Sequence, residues 1–203
     1  MTMAPRPQTP QEALERLCEG NRRFVAGQPS YGKISREAFT SLRAGQQPFA
    51  IILGCSDSRV PPELVFDQGF GDLFVIRVAG NIIAPGIGGS IQYAYQHLGT
   101  RLLVVLGHEG CGAVEAALAA RFQRAQHPER IQQLVQLIEP GLERIDPNLS
   151  AGEQLAAGVE ANVRWSLAQV TRTPEVQRAL GTADVLIVGA VYELSTGKVR
   201  WLD

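Results

Sequence analysis

Four stretches of this chain are apolar at nearly every position over the length of a strand: Phe49–Leu53, Leu73–Val78, Leu102–Gly107 and Val185–Val191. A strand with one wet face alternates apolar and polar residues. A strand without alternation is buried on both faces, as in a parallel sheet covered by helices. Helical patterns occupy the intervals, near 61–66, 88–98 and 112–123, then over 129–145, 152–170 and 174–180. Strand alternating with helix predicts an α/β fold: a mostly parallel central sheet flanked by helices. Ser195-Thr196-Gly197 turns the chain into a last short strand, Lys198–Leu202, expected as an antiparallel edge. A chain of 203 residues suits one such core.

The N-terminal part reads differently. Thr9-Pro10-Gln11-Glu12 is a capping box with proline at the first helical position. Leu14, Leu17, Cys18 and Phe24 then share one helical face, and Gly27 is the expected stop. Residues 28–34 read as a linker and 35–44 as a short helix. The organisation expected is a helical arm, 1–44, followed by an α/β domain, 45–203. The arm has an apolar face without a core of its own, and such a face must be buried against something.

With a formal net charge of −1, 45% apolar and 19% charged residues, the chain has no electrostatic reason to bind nucleic acid or an anionic membrane. No apolar stretch is long enough to span a bilayer. The first ten residues lack the hydrophobic segment of a secretory signal, so the cytoplasm is the expected location. The three cysteines, Cys18, Cys55 and Cys111, are too few and too odd in number for a disulfide framework. In a reducing compartment they point to metal or catalysis. Residues 79–90 are glycine-rich, but they lack the G-x-G-x-x-G spacing and no Walker lysine follows. Close backbone packing is expected there, not a nucleotide.

In open parallel sheets, ligands bind beyond the carboxyl ends of the strands. Two such ends carry unusual polar residues. The first run leads into Cys55, Asp57 and Arg59, and the third into His108 and Cys111. A single buried cysteine is most often a small hydrophobe, and a single histidine is most often a satisfied polar group. Two strand ends with complementary ligands favour a metal. If the strands are neighbours, two thiolates and an imidazole converge, which is a zinc set with a fourth position open. Asp57 could close that position as a ligand. It could instead be gripped bidentately by Arg59, leaving the position to a water whose pKa zinc lowers from 15.7 to about 7. Both arrangements stay open at this level.

Cys-Ser-Asp-Ser-Arg-Val-Pro at 55–61 and Gly-His-Glu-Gly-Cys-Gly at 107–112 resemble the two zinc motifs of the β-class carbonic anhydrases, in that family's order and approximate spacing. The similarity runs from about residue 10 to the C-terminus. The resemblance implies Zn2+ held by Cys55, His108 and Cys111, with Asp57 and Arg59 as a catalytic dyad and Asp57 a fourth ligand only in a closed state. It implies a substrate pocket of Gln46, Phe74, Tyr93 and the Gly112 N–H. The implied activity is that of a carbonate dehydratase, the reversible hydration of carbon dioxide to bicarbonate by attack of zinc-bound hydroxide. The implied assembly is a homodimer, or a larger assembly of dimers, with the arm wrapping the partner and the pocket lined from both chains.

Some members of the family carry an inhibitory bicarbonate site built from a tryptophan three residues before the first cysteine, an arginine and a tyrosine. Here those positions are Ile52, Arg77 and Tyr192, and the loss of the tryptophan favours an open site. Two other functions fit the same scaffold: hydrolysis of carbonyl sulfide or carbon disulfide, and a catalytically silent, zinc-stabilised assembly protein. The Asp57–Arg59 pair argues against the silent form. His97 is expected as a satisfied helical residue, His127 as a solvated loop residue and Cys18 as buried and inert.

Overall fold

The structure is a computed structural model that describes residues 6–30, 42–43, 45–172, 176–178 and 184–202. Its strands are β1 (Ala50–Gly54), β2 (Leu73–Arg77), β3 (Leu102–His108), β4 (Leu186–Tyr192) and β5 (Val199–Leu202), in one sheet of order β2-β1-β3-β4-β5. The first four are mutually parallel, and β5 runs antiparallel to β4 at the edge. The helices are α1 (Pro10–Val25), α2 (Pro62–Val65), α3 (Pro85–Leu98), α4 (Gly112–Gln123), α5 (Glu129–Ile138) and α6 (Ala151–Thr171). The α/β class and the antiparallel edge match the expectation from the sequence.

Helix boundaries show where local chemistry differs from the expected spans. The α3 helix begins at Pro85, not at 88, because proline suits the first turn. Half of the glycine-rich segment is therefore helix, not loop. The helix expected over 129–145 stops at Ile138 and tightens into a 3-10 turn, Glu139–Leu142. Pro140 lacks the N–H that would continue the α pattern. Of the expected helix at 35–44 only 42–43 are described, and of that at 174–180 only 176–178.

The sheet has an apolar layer on each face. Ile51, Leu53, Leu103 and Val105 pack with residues of α3 through α6. Ala50, Ile52, Leu102, Val104 and Leu106 face the other way, onto Ala13 and Leu17 of α1 and onto Phe66. All five residues of β1 are buried, which is why its sequence shows no alternation.

The α1 helix corrects one expectation. Its capping box forms as predicted, but its apolar stripe is covered by this chain's own sheet. Asn21 ties it down: its Nδ2 donates to the carbonyls of Val65 (3.0 Å) and Gly197 (2.9 Å), and its Oδ1 accepts the Val199 N–H (3.0 Å). Arg23 pairs with the fully buried carboxylate of Asp67. The argument that an uncovered stripe needs a partner chain therefore does not hold for α1.

At Gly20 the helix lies so close to the domain that a Cβ would sit 1.8 Å from the Phe66 carbonyl oxygen. Replacing Gly20 with Ala should cost about 1–3 kcal/mol of stability by overpacking, read as an earlier midpoint in a urea titration. An unchanged midpoint would show that α1 does not dock there.

Candidate metal centre

From β1 the chain steps to β2 on one side, then crosses to β3 on the other. The segments leaving β1 and β3 diverge, and a crevice opens at the strands' carboxyl ends. Cys55 directly follows β1, and His108 is the last residue of β3. Gly54 is in register with Leu106, so Cys55 falls opposite Gly107 and one residue short of His108 on the neighbouring strand. Cys111 is the N-cap of α4, where the positive end of the helix favours a thiolate. The ligand atoms of Cys55, His108 and Cys111 lie within 4.8 Å of one another, and all three residues are buried.

The chemistry of this donor set fits a zinc ion. His108 Nδ1 lies 2.9 Å from the Glu109 carbonyl. A carbonyl only accepts, so Nδ1 carries the proton and Nε2 presents a lone pair. Nε2 is buried without a hydrogen-bond partner, a state that costs about 1–3 kcal/mol unless something else satisfies it. The hydrogen bond from Cys111 holds the Cys55 thiol down at about 4. The same bond, together with burial, pushes the Cys111 thiol up. Left to themselves the two thiols share a proton, whereas a divalent cation lets both ionise. Two thiolates and an imidazole in a buried site select a soft, tetrahedral metal such as zinc.

Asp57 lies at the edge of this cluster, its Oδ2 3.8 Å from His108 Nε2. Arg59 grips it with two parallel bonds, Nε to Oδ1 at 2.9 Å and Nη2 to Oδ2 at 2.8 Å, and adds its backbone N–H to Oδ1 at 2.9 Å. The Arg59 guanidinium holds the Asp57 carboxyl well below the usual carboxylate range. Arg77, which ends β2 beside Gly54, donates from Nε to the Cys55 carbonyl (2.9 Å) and from Nη2 to the Asp57 carbonyl (2.6 Å). It anchors the loop that carries both residues, a part the sequence reading did not assign to it. The available signal was a lone arginine closing an otherwise apolar strand. The Gly80 N–H, 3.4 Å from Cys55 Sγ, was missed as well.

The expected pocket residues form a separate group. Gln46 is exposed ahead of β1. Phe74 is in register with Ile51, and its ring centroid is 6.3 Å from that of Tyr93, which is 47% exposed. Cys55 lies four residues beyond Ile51, about 13 Å along the strand. Phe74 and Tyr93 thus meet each other but not the thiols of their own chain, and Gln46 lies beyond β1's opposite end. Gly112 opens α4 next to Cys111. Tyr192 is in register with His108, and its carbonyl accepts the Glu109 N–H at 2.9 Å. His97 lies beside Tyr93, ring centroids 5.1 Å apart and planes tilted by 32°, and His127 Nε2 lies 3.1 Å from the Ala116 carbonyl. Cys18 is half-buried, less covered than expected, and burial pushes its thiol up.

Residues 50–199 match the family model described as carbonic anhydrase. Carbonic anhydrase 2 of Mycobacterium tuberculosis is 39% identical over 202 residues, covering 96% of this chain and 93% of its own. The carbonic anhydrase of Mycolicibacterium smegmatis is 38% identical, with 94% and 92% covered. The solved structure of the β-carbonic anhydrase CcaA superimposes with a TM-score of 0.75 at 28% identity, over 94% of this chain and 87% of that one. The chain belongs to the β-class carbonic anhydrase family. As an enzyme it is a carbonate dehydratase, a lyase. Among the described residues no helix is long and apolar enough to cross a membrane.

Replacing Cys111 with Ser removes one of the three buried donors. Elemental analysis should find roughly one zinc per wild-type chain and little in the variant. Stoichiometric zinc in Cys111→Ser would exclude this residue as a ligand.

Proposed function

We propose that this chain catalyses the reversible hydration of carbon dioxide at a zinc ion held by Cys55, His108 and Cys111, with Asp57 and Arg59 as the working dyad. The observation that carries this reading is the unpartnered Nε2 of His108, buried beside two thiols and next to a carboxylate already taken by an arginine. When bound, zinc supplies Lewis acidity that brings the pKa of a water from 15.7 to about 7. Arg59 holds both carboxylate oxygens of Asp57, so with zinc bound the fourth position would be left to water. Asp57, held ionised by Arg59, would accept a hydrogen bond from a water or hydroxide in that position and orient it toward carbon dioxide. The Gly112 N–H, in the first turn of α4 and without an intrahelical partner, suits the charge of bicarbonate.

We infer that the apolar side of the pocket comes from a second copy of the chain. Gln46, Phe74 and Tyr93 lie apart from the thiols of their own chain, and Tyr93 is half exposed. A dimer in which each copy lends these residues to the other would complete both sites. Carbon dioxide has no charge to grip, and apolar walls with a few directed donors suit it.

Two measurements test this. Arg59→Ala should lower turnover by roughly a hundredfold while zinc content stays at the wild-type level. Turnover at the wild-type level would remove the dyad from the reaction. Co-expressing Cys111→Ser with Gln46→Ala should recover about a quarter of wild-type activity, because half the dimers are mixed and each mixed dimer assembles one intact site of two. No recovery in purified mixed dimers would place Gln46 outside a shared site.

A further inference from the structure

The metal cluster rests on a backbone turn that α6 holds from behind. Gly80 and Asn81 are consecutive residues in left-handed conformation, with φ of 72° and 43°. For asparagine this backbone is uncommon and must be held by its surroundings. Two side chains of α6, one helical turn apart, hold it. Asn162 Nδ2 donates to the Gly80 carbonyl at 2.7 Å, and Ser166 Oγ donates to the Asn81 carbonyl at 3.0 Å. Asn162 is 1% exposed and Ser166 0%, so neither bond is shared with solvent. The Asn81 N–H closes the turn onto the Val78 carbonyl at 3.0 Å. A side chain at Gly80 would strike Ile138 Cδ1 at 2.8 Å, so the turn has no room to relax that way. The product of this clamp is a single directed donor, the Gly80 N–H, 3.4 Å from Cys55 Sγ.

We propose that Asn162 and Ser166 are positioning residues for the metal centre: by fixing the Gly80–Asn81 turn they keep a backbone N–H on the sulfur of Cys55. This rests on the reading of Cys55 as a zinc ligand. A hydrogen bond to a thiolate withdraws charge from the sulfur and fixes its direction, and partners of this kind tune ligands that they do not replace. Neither residue lies in the two strand-end motifs. They act through a turn 82 and 85 residues away in sequence from the side chains that hold it.

The test uses the full-length protein with cobalt(II) in place of zinc, because cobalt accepts the same tetrahedral donors and reports thiolate bonding in its absorption. Asn162→Ala and Ser166→Ala are compared with Val170→Ala, a buried α6 truncation away from the turn. The thiolate-to-cobalt charge-transfer band should move to longer wavelength in Asn162→Ala and Ser166→Ala, since a thiolate that loses a donor gives up its electron more easily. Zinc transfer to a chelator should be faster by about tenfold in the same variants. Val170→Ala should lower the thermal midpoint while leaving the band and the transfer rate at wild-type values. Either clamp variant suffices if the other does not fold. A wild-type band and transfer rate in a folded clamp variant would overturn the proposal. A band of undiminished intensity in Cys55→Ser would instead overturn the assignment of Cys55 as a ligand, so the two failures are distinct.

Discussion

The pairing of β1 with β3, Ala50 opposite Leu102 through Gly54 opposite Leu106, is the constraint on which the site depends. A slip of one residue would turn Cys55 to the opposite face of the sheet and away from the other two donors. Hydrophobicity does not guard against that slip, because both faces of β1 are buried and Ile51 and Ile52 are interchangeable in polarity. Polarity at the strand ends does guard against it. Moving β1 inward would carry Ser56 and Asp57 toward the apolar layer, and moving it outward would strip Phe49 of cover. The same residues that set the chemistry thus set the register.

The fold was legible because the continuous apolar runs of β1 and β3 have few alternatives to a doubly covered parallel sheet. The three donors were legible for a related reason: Cys55, His108 and Cys111 stand where apolar runs end, and a strand end needs no such side chains for packing. Other features depend on contacts between distant segments. The cover over α1 comes from Phe66 and the sheet, and nothing in residues 9–27 announces it. The anchoring part of Arg77, matched by resemblance only to an inhibitory-site arginine, shows when β2 is set beside β1 and its guanidinium meets the Cys55 and Asp57 carbonyls. The break of the helix after Ile138 was visible in Pro140 and could have been taken from the sequence.

The donor set carries a cost of its own. A buried imidazole nitrogen without a partner and two thiols competing for one proton weigh against folding. A metal that satisfies all three returns that free energy to the folded state and not to the unfolded one. The centre is therefore coupled to the stability of the two strands that hold it, and the Asp57–Arg59 pair, half in solvent, is not. The three buried donors belong to the sheet and its helix, whereas the Asp57–Arg59 pair stands at the edge of the cluster, outside any strand.

Asn21 has a consequence at the far edge of the sheet. The Val199 N–H points away from β4, and there the amide of Asn21 meets it, while the same amide holds Gly197 and Val65. A side chain on a helix thus takes the place that the backbone of a sixth strand would need. An extended peptide pairing with Val199 would first have to displace the Asn21 amide. The start of the β5 edge is in this way capped against strand addition, and the helix that caps it is the one whose own cap Thr9 and Glu12 spell out.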